Sequence, residues 1–183
     1  MRISALRISD DNPELSAGTG KTRAFFSQTY PAIVSVATIN DLVEYAANIG
    51  GDVRLCLHKD PSFRHHDMVI VQRSDRFVFP HRHPVGMGET WNILRGEMAV
   101  FVFDDSGAVI DARRLTPDTE FLYRAGDSQF HLLMTLSPFA VYHESKPGPF
   151  EGPVDNMVAP WMPDVNNTAA IADYRNSLLS LIL

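Results

Sequence analysis

The residues best suited to chemistry lie in one stretch of the chain, Pro80-His-Arg-His-Pro-Val-Gly-Met-Gly-Glu-Thr-Trp-Asn-Ile-Leu-Arg-Gly96. His81 and His83 are two residues apart, so on a β-strand both imidazoles point to the same face. Two imidazoles side by side are typical ligands of a borderline divalent metal ion. Glu89 begins the next apolar run, where strand alternation places it on the same face as Trp91. A carboxylate on a barrel-facing side is costly unless it is paired or bound to a metal ion.

A fourth candidate ligand, His131, opens the apolar run Phe130–Leu136. Three histidines and one carboxylate fill four positions of an octahedral ion and leave two for substrate oxygens. If His131 is not a ligand, a site of two histidines and one carboxylate leaves three positions open. The number of open positions therefore depends on His131.

These residues must be positioned by a β-rich scaffold. Short runs rich in Val, Ile, Phe and Tyr are separated by turn signals such as Arg95-Gly96. The predicted strands are Met68–Gln72, Arg76–Phe79, Thr90–Leu94, Met98–Phe103, Val109–Leu115, Phe121–Arg124, Phe130–Leu136 and Phe139–Glu144. Short strands at this spacing, with no helix between them, predict an antiparallel sandwich or barrel.

Helices are predicted on either side of this region. Helical spacing of apolar residues predicts a helix over 39–49, followed by the stop signal Gly50-Gly51. A second helix is predicted over Asn167–Leu183, with an apolar end that we expect to dock on the barrel or on another subunit. Residues 1–30 show weak periodicity and many turn formers, which indicates an arm or a loosely packed cover.

Composition narrows the classes of function. The 183 residues carry a formal net charge of −6, which argues against broad nucleic-acid binding because that needs a basic surface. We find no apolar stretch long enough to span a bilayer and no apolar N-terminal core of secretory length. The single cysteine, Cys56, excludes an intramolecular disulfide. These features lead us to expect a cytoplasmic protein without membrane or nucleic-acid partners.

The stretch around His81 resembles a known family. His81-x-His83, Glu89 and Gly96 are similar to the first motif of the cupin superfamily, with five residues rather than three or four between the second His and the Glu. The second cupin motif is represented by Arg124-x-Gly126 and His131, with Thr135 in the place of its usual Asn. A closer resemblance is to the WbuC-like cupin metalloproteins found in and around bacterial surface-polysaccharide gene clusters. It is carried by Pro80-His-Arg-His-Pro84, Leu94-Arg-Gly96, Phe103-Asp-Asp-Ser-Gly107 and Glu144-x-Lys-x-Gly-Pro-Phe150.

The resemblance implies a mainly β fold, the cupin double-stranded β-helix or jelly-roll barrel, with an N-terminal and a C-terminal helix. It covers residues 38–150 and leaves an N-terminal arm, 1–37, and a C-terminal loop and helix, 151–183, outside the cupin domain. It also implies one divalent metal ion (Fe, Mn, Zn or Ni) held by His81, His83, Glu89 and His131.

Four further residues are candidates for substrate binding. Arg54 and His58 lie four residues apart, and we expect them near the barrel mouth, where they would bind a carboxylate or phosphate. Tyr142 and Glu144 lie on the last predicted strand. Because His143 and Glu144 alternate along that strand, at most one of these two faces the cavity. Tyr123, Tyr142, His58 and Glu144 are the candidate bases.

The leading functional hypothesis is a metal-dependent enzyme that acts on a small polar molecule, such as a sugar or sugar acid, in surface-polysaccharide metabolism. An isomerase or epimerase would use the metal ion to polarise a carbonyl while a base moves a proton. An iron-dependent dioxygenase and a non-catalytic ligand-binding or sensing module are the alternatives, because one fold can serve all three. The apolar C-terminal helix also suggests a homodimer.

Overall fold

A computed structural model describes residues 4–18, 20 and 22–182. The strands are β1 Leu15–Ala17, β2 Arg23–Ser27, β3 Val53–Cys56, β4 His65–Arg73, β5 His81–Arg82, β6 Thr90–Arg95, β7 Met98–Phe103, β8 Val109–Leu115, β9 Leu122–Arg124, β10 Phe130–Thr135, β11 Phe139–Pro147 and β12 Met157–Val158. The helices are α1 Val36–Ile49, α2 Thr168–Leu179 and a 3₁₀-helix at Pro153–Asp155.

Within the described residues the strands form two sheets. The larger sheet has the order β1-β2-β3-β4-β11-β6-β9, and the smaller has the order β12-β5-β10-β7-β8. The strand pairs are antiparallel except β2 and β3, which are parallel because α1 connects them as a crossover. The predicted antiparallel β-barrel architecture with two flanking helices is therefore confirmed.

The interior between the two sheets is apolar and well buried. Alternate residues of both sheets contribute to it, among them Met68, Trp91, Val100 and Leu133. Along β10, His131 and Leu133 point inward while Phe130 and Leu132 belong to the outer face. The period of two along each strand thus decides which side chains can reach the interior.

Helix α1 covers the outer face of the larger sheet. Its buried residues Leu42 and Ala46 pack with Val53 and Val69 of the sheet. The helix begins at Val36, three residues before the predicted start, because Ser35 caps it in a reciprocal box with Thr38. It ends at Gly50, whose left-handed φ of 61° lets its N–H reach the last carbonyls.

The C-terminal segment covers the outer face of the smaller sheet. Trp161, Tyr174 and Leu178 of this segment pack against Phe101 and Phe103. The helix therefore docks on its own barrel, and it ends at Leu179; the predicted end, Leu183, lies outside the described residues. The phenylalanines of β7, Phe101 and Phe103, are therefore buried in this outer cluster and not in the interior between the sheets.

Two further expectations about secondary structure were wrong. Arg76–Phe79 is not a strand. Phe77 and Val78 pack against the cluster on the outer face of the smaller sheet, but the backbone of this segment pairs with neither sheet. The N-terminal region is more ordered than an arm, because β1 and β2 extend the larger sheet and Leu6 is buried. In the part of the chain that the structure describes, no helix is long and apolar enough to cross a membrane.

Candidate metal centre and cavity

The histidines are brought together by the smaller sheet. His131 of β10 pairs directly with His81 of β5 in the antiparallel register. His83 follows β5 two residues after His81, so its ring lies on the same side. The three ring centroids lie 4.7–5.2 Å apart. The structure therefore places the three predicted histidines in one cluster.

Each of these rings is oriented by a backbone carbonyl. The Nδ1 atoms of His81, His83 and His131 lie 2.9, 2.5 and 3.0 Å from carbonyl oxygens. The carbonyls belong to Phe79, Asp155 and Gln129 respectively. A carbonyl only accepts, so Nδ1 is the donor in each ring and Nε2 of a neutral ring keeps its lone pair. This arrangement is typical of metal-binding histidines.

The Nε2 atoms converge beside Glu89. Ligand atoms of the three histidines lie within 4.8 Å of one another, so small side-chain rotations would bring them to about 2.1 Å from a common ion. One Glu89 oxygen lies 2.9 Å from His83 Nε2, and the other lies 3.4 Å from His131 Nε2. Both Nε2 atoms are buried, and in a neutral ring, which carries its proton on Nδ1, neither has a hydrogen-bond partner among the described residues.

This geometry fits a cation. A carboxylate only accepts hydrogen bonds, so it can lie beside an Nε2 lone pair only if a proton or a metal ion lies between them. The buried Nε2 atoms of His83 and His131 and the carboxylate of Glu89 thus form the donor set that a divalent ion prefers. His81, His83, His131 and Glu89 are the residues that would hold it.

The charges of the cluster are strongly perturbed. Burial, followed by the charge of His131, lowers the pKa of His81 to about 4. Burial also disfavours the charged form of His83, but the hydrogen bond and charge of Glu89 outweigh it, so the pKa of His83 is raised. Burial alone would raise the pKa of Glu89, yet its hydrogen bonds to His131 and His83 and the charge of Lys146 hold that pKa well below its usual range.

Lys146 is a member of the site that sequence reasoning missed. Its Nζ donates to Glu89 Oε1 at 2.8 Å and lies 3.9 Å from Glu144 Oε1. Burial would lower the pKa of Lys146, but the carboxylates of Glu144 and Glu89 raise it above its usual value. The alternation of β11 could have predicted this position, because Lys146 follows Glu144 by two residues and shares its face.

A cavity of about 220 Å³ opens beside the cluster. Besides apolar side chains, its wall includes charged and polar residues from both sheets and from the C-terminal segment. They are Thr22, Asp52, Arg54, Gln72, His81, Glu89, His131, Tyr142, Glu144, Lys146 and Asn156. The predicted substrate residues Arg54, Tyr142 and Glu144 therefore line one cavity with three of the four predicted ligands.

Adjacent strands of the larger sheet place these residues in rows. Arg54 pairs with Ile70, which pairs with Tyr142, so all three lie in one interior row. Glu144 lies in the next row, opposite Trp91, whose Nε1 donates to Glu144 Oε2 at 3.2 Å. Burial and the charge of Glu89 raise the pKa of Glu144. Both effects favour the protonated form of this carboxyl group over its charged form.

The other candidate bases are engaged elsewhere. Tyr142 donates to Gln72 Oε1 at 3.1 Å, and burial raises its pKa well above the usual value. Tyr123 donates to Asp111 Oδ2 at 2.7 Å and does not line the cavity. His143 also turns away from the cavity and lies 3.1 Å from Asp67, as the alternation with Glu144 predicts.

The structure places His58 away from the cavity, in contrast to the expectation that it lies near the barrel mouth with Arg54. Its ring is buried and stacks on His66, with ring centroids 4.1 Å apart. The reason is local: Arg54 belongs to β3, whereas His58 lies beyond the end of that strand, where the alternation no longer applies. Sequence spacing alone could not reveal this change of direction.

Comparisons with known proteins concern part of the chain. A family profile described as a domain of unknown function (DUF6016) matches residues 39–115, a range that includes His81, His83 and Glu89. No curated protein matches the sequence.

Among solved structures, the chain is similar to CapF bound to 3-isopropenyl-tropolone, with 13% identity and a TM-score of 0.47. That alignment covers 57% of this chain and 30% of CapF, so the chain spans about a third of the length of that protein.

Two smaller proteins align over more of their own length. A Shewanella oneidensis protein has a TM-score of 0.50 at 12% identity, over 65% of this chain and 82% of that chain. An RmlC-like cupin family protein with a double-stranded β-helix fold from Methanocaldococcus jannaschii has a TM-score of 0.37 at 15% identity. That alignment covers 47% of this chain and 72% of the cupin.

At these identities the likeness concerns the fold alone. Two facing sheets enclose an apolar interior and a polar cavity, and the histidine cluster lies on the inner face of the smaller sheet. The chain has the cupin double-stranded β-helix fold, with α1 on one outer face and α2 on the other.

Proposed function

We propose that this protein is a metal-dependent enzyme that acts on a small polar molecule, a sugar or sugar acid. The observation that carries the proposal is the orientation of the three histidines. Their Nδ1–H groups donate hydrogen bonds to backbone carbonyls, and the Nε2 atoms of His83 and His131 face the carboxylate of Glu89. A bound divalent ion would act as a Lewis acid toward a carbonyl or hydroxyl oxygen in the adjoining cavity.

The chain's own residues supply the proton chemistry. Of the candidate bases, Tyr142 and Glu144 line the cavity, and the hydroxyl of Tyr142 is engaged with Gln72. Trp91 Nε1 fixes one oxygen of Glu144, and Lys146 lies near the other. Tyr142 and Gln72 hold each other by a hydrogen bond, so they orient the wall rather than transfer protons. We therefore assign Glu144 as the general acid or base.

Two features favour a sugar or sugar acid as the substrate: the resemblance to WbuC-like proteins and the polarity of the cavity wall. The similarity of Pro80–Pro84 and Glu144–Phe150 to WbuC-like proteins favours a sugar-derived substrate linked to surface-polysaccharide metabolism. The cavity wall carries charged and amide side chains, which suit a ligand with several oxygen atoms.

The test is the metal content of purified protein after reconstitution, measured by inductively coupled plasma mass spectrometry. We expect about one equivalent in the wild type and less than about a tenth of an equivalent in His81→Ala and His131→Ala, because each loses a ligand. His65→Ala is the matched control, since the side chain of His65 is 64% exposed and lies outside the cluster. Glu144→Gln should keep its metal, because Glu144 is not a ligand.

Equal and negligible metal in the wild type and His81→Ala would contradict the proposal. Iron as the bound metal, together with oxygen uptake in the presence of a sugar acid, would indicate a dioxygenase instead of an isomerase-type enzyme. A metal-loaded protein that binds sugar acids and returns them unchanged would indicate a binding module.

A further inference from the structure

Arg54 is a cation of the cavity wall whose guanidinium takes part in no salt bridge or side-chain hydrogen bond with the described residues. Its Nε atom is buried without a partner. Arg23 and Arg82 also have a buried Nε atom without a partner, but their terminal nitrogens are paired with Asp10 and Asp105. A buried guanidinium donor without an acceptor is costly unless a ligand supplies the acceptor.

The sheet fixes the position of Arg54. It lies on β3 between Val53 and Leu55, which both point into the opposite cluster under α1. Its register partners are Ala24 on β2 and Ile70 on β4. Because both neighbouring strands are paired, the alternation of β3 directs this half-buried side chain to the interior face of the sheet.

The charge of the cavity favours an anion once the metal centre is filled. Two cations, Arg54 and Lys146, and three carboxylates, Asp52, Glu89 and Glu144, line the wall. With neutral histidines these groups carry a net charge of −1, which a divalent ion converts to +1. One carboxylate on the substrate would neutralise it.

The size of the cavity limits the ligand. Its volume of about 220 Å³ corresponds to roughly seven water molecules at about 30 Å³ each. A ligand that fills this volume would be an acid of roughly three to six carbon atoms. A nucleotide-linked sugar would have to lie mostly outside it.

We propose that Arg54 binds the carboxylate of a small hydroxy or keto acid whose remaining oxygens face the histidine cluster. This inference rests on the proposed function, because the net positive charge arises only with a metal ion bound. A planar guanidinium can donate two parallel hydrogen bonds to a carboxylate, which a neutral polyol cannot match. Arg54 thereby selects acids over neutral sugars.

The test is calorimetric titration of metal-loaded protein with three acids and their neutral counterparts. The acids are glycolate, D-glycerate and D-gluconate; the neutral probes are ethylene glycol, glycerol and D-glucitol. In the wild type we expect at least one acid to bind about tenfold or more tightly than its neutral counterpart. Arg54→Met should abolish that preference, whereas Arg54→Lys should retain part of it because the charge remains.

Two controls separate this inference from the proposed function. Arg113→Met removes an arginine of β8 whose side chain is 50% exposed, and it should bind the acids as the wild type does. Metal content is measured in every variant, because Arg54→Met should keep its metal. A wild type without metal overturns the proposed function. A metal-loaded wild type that shows no preference for any acid, or a preference that survives in Arg54→Met, overturns the role of Arg54 alone.

Discussion

The candidate metal ligands meet because the two sheets bring them to one point. His131 of β10 pairs with His81 of β5. The carbonyl of Asp155 orients His83, and the ammonium group of Lys146 is bound to Glu89.

His58 and His66 form a second buried imidazole pair, which the proposed reaction does not use. The rings are stacked with an interplanar angle of 10°, and Nδ1 of His58 lacks a partner among the described residues. Burial, followed by the charge of His66, lowers the pKa of His58 from 6.5 to about 4. Asp60 and Asp67 are the nearby acids, and their effect is too small to restore the pKa.

Because of this pair, we expect the free energy of unfolding of the protein to fall in acid. Above pH 6.5 His58 is neutral in both the folded and unfolded states and contributes no pH dependence. As the pH falls from about 6.5 to about 4, the unfolded state binds a proton that the folded state rejects, so the free energy of unfolding falls. Between pH 7.5 and pH 4.5, we expect the free energy of unfolding of His58→Phe to fall by about 2 kcal/mol less than that of the wild type.

Urea unfolding at the two pH values measures this difference. His65→Phe is the control, because His65 lies one residue from His66 on the exposed side of β4. Equal losses in the wild type and His58→Phe would show that His58 does not contribute to acid sensitivity.

At the scale of elements, prediction succeeded where turn signals bound a strand. The bounds of β7 and β8 match the predicted ones, since Gly96, the turn Asp104–Gly107 and Pro117 delimit them. The strands β1 and β2 were missed because Ser, Gly and Thr around them resemble a loop. Arg76–Phe79 was wrongly predicted as a strand because its apolar residues pack on a neighbouring surface without backbone pairing.

The docked position of α2 gives a prediction at this scale. Leu178 is 3% exposed against the outer face of the smaller sheet, whereas Leu181, just beyond the helix, is 55% exposed. Leu178→Ala should lower the free energy of unfolding by about 2–4 kcal/mol, because it leaves a cavity in a buried cluster. Leu181→Ala should change it by less than about 0.5 kcal/mol.

Chemical denaturation of both variants measures the two values. Equal, small effects would mean that α2 does not pack on the barrel. The predicted homodimer no longer follows from the apolar helix, because its buried leucine is already covered within the chain.

At the scale of the molecule, the fold class was predictable and the cavity was not. Periodicity of two and turn spacing are local properties, so they indicate a β-barrel without knowledge of contacts. The cavity depends on which interior positions carry short or polar side chains in both sheets at once. The metal centre also depends on both sheets, because the histidines of the smaller sheet contact Glu89, which immediately precedes β6 of the larger sheet.

A metal ion held where the two sheets meet would be located by anomalous diffraction from crystals of the reconstituted protein, recorded on both sides of the absorption edge of the bound metal. We expect one strong peak about 2.0–2.2 Å from Nε2 of His81, His83 and His131, with a Glu89 oxygen completing the protein ligands. A peak elsewhere, or metal-loaded crystals in which these atoms bind nothing, would rule out this site.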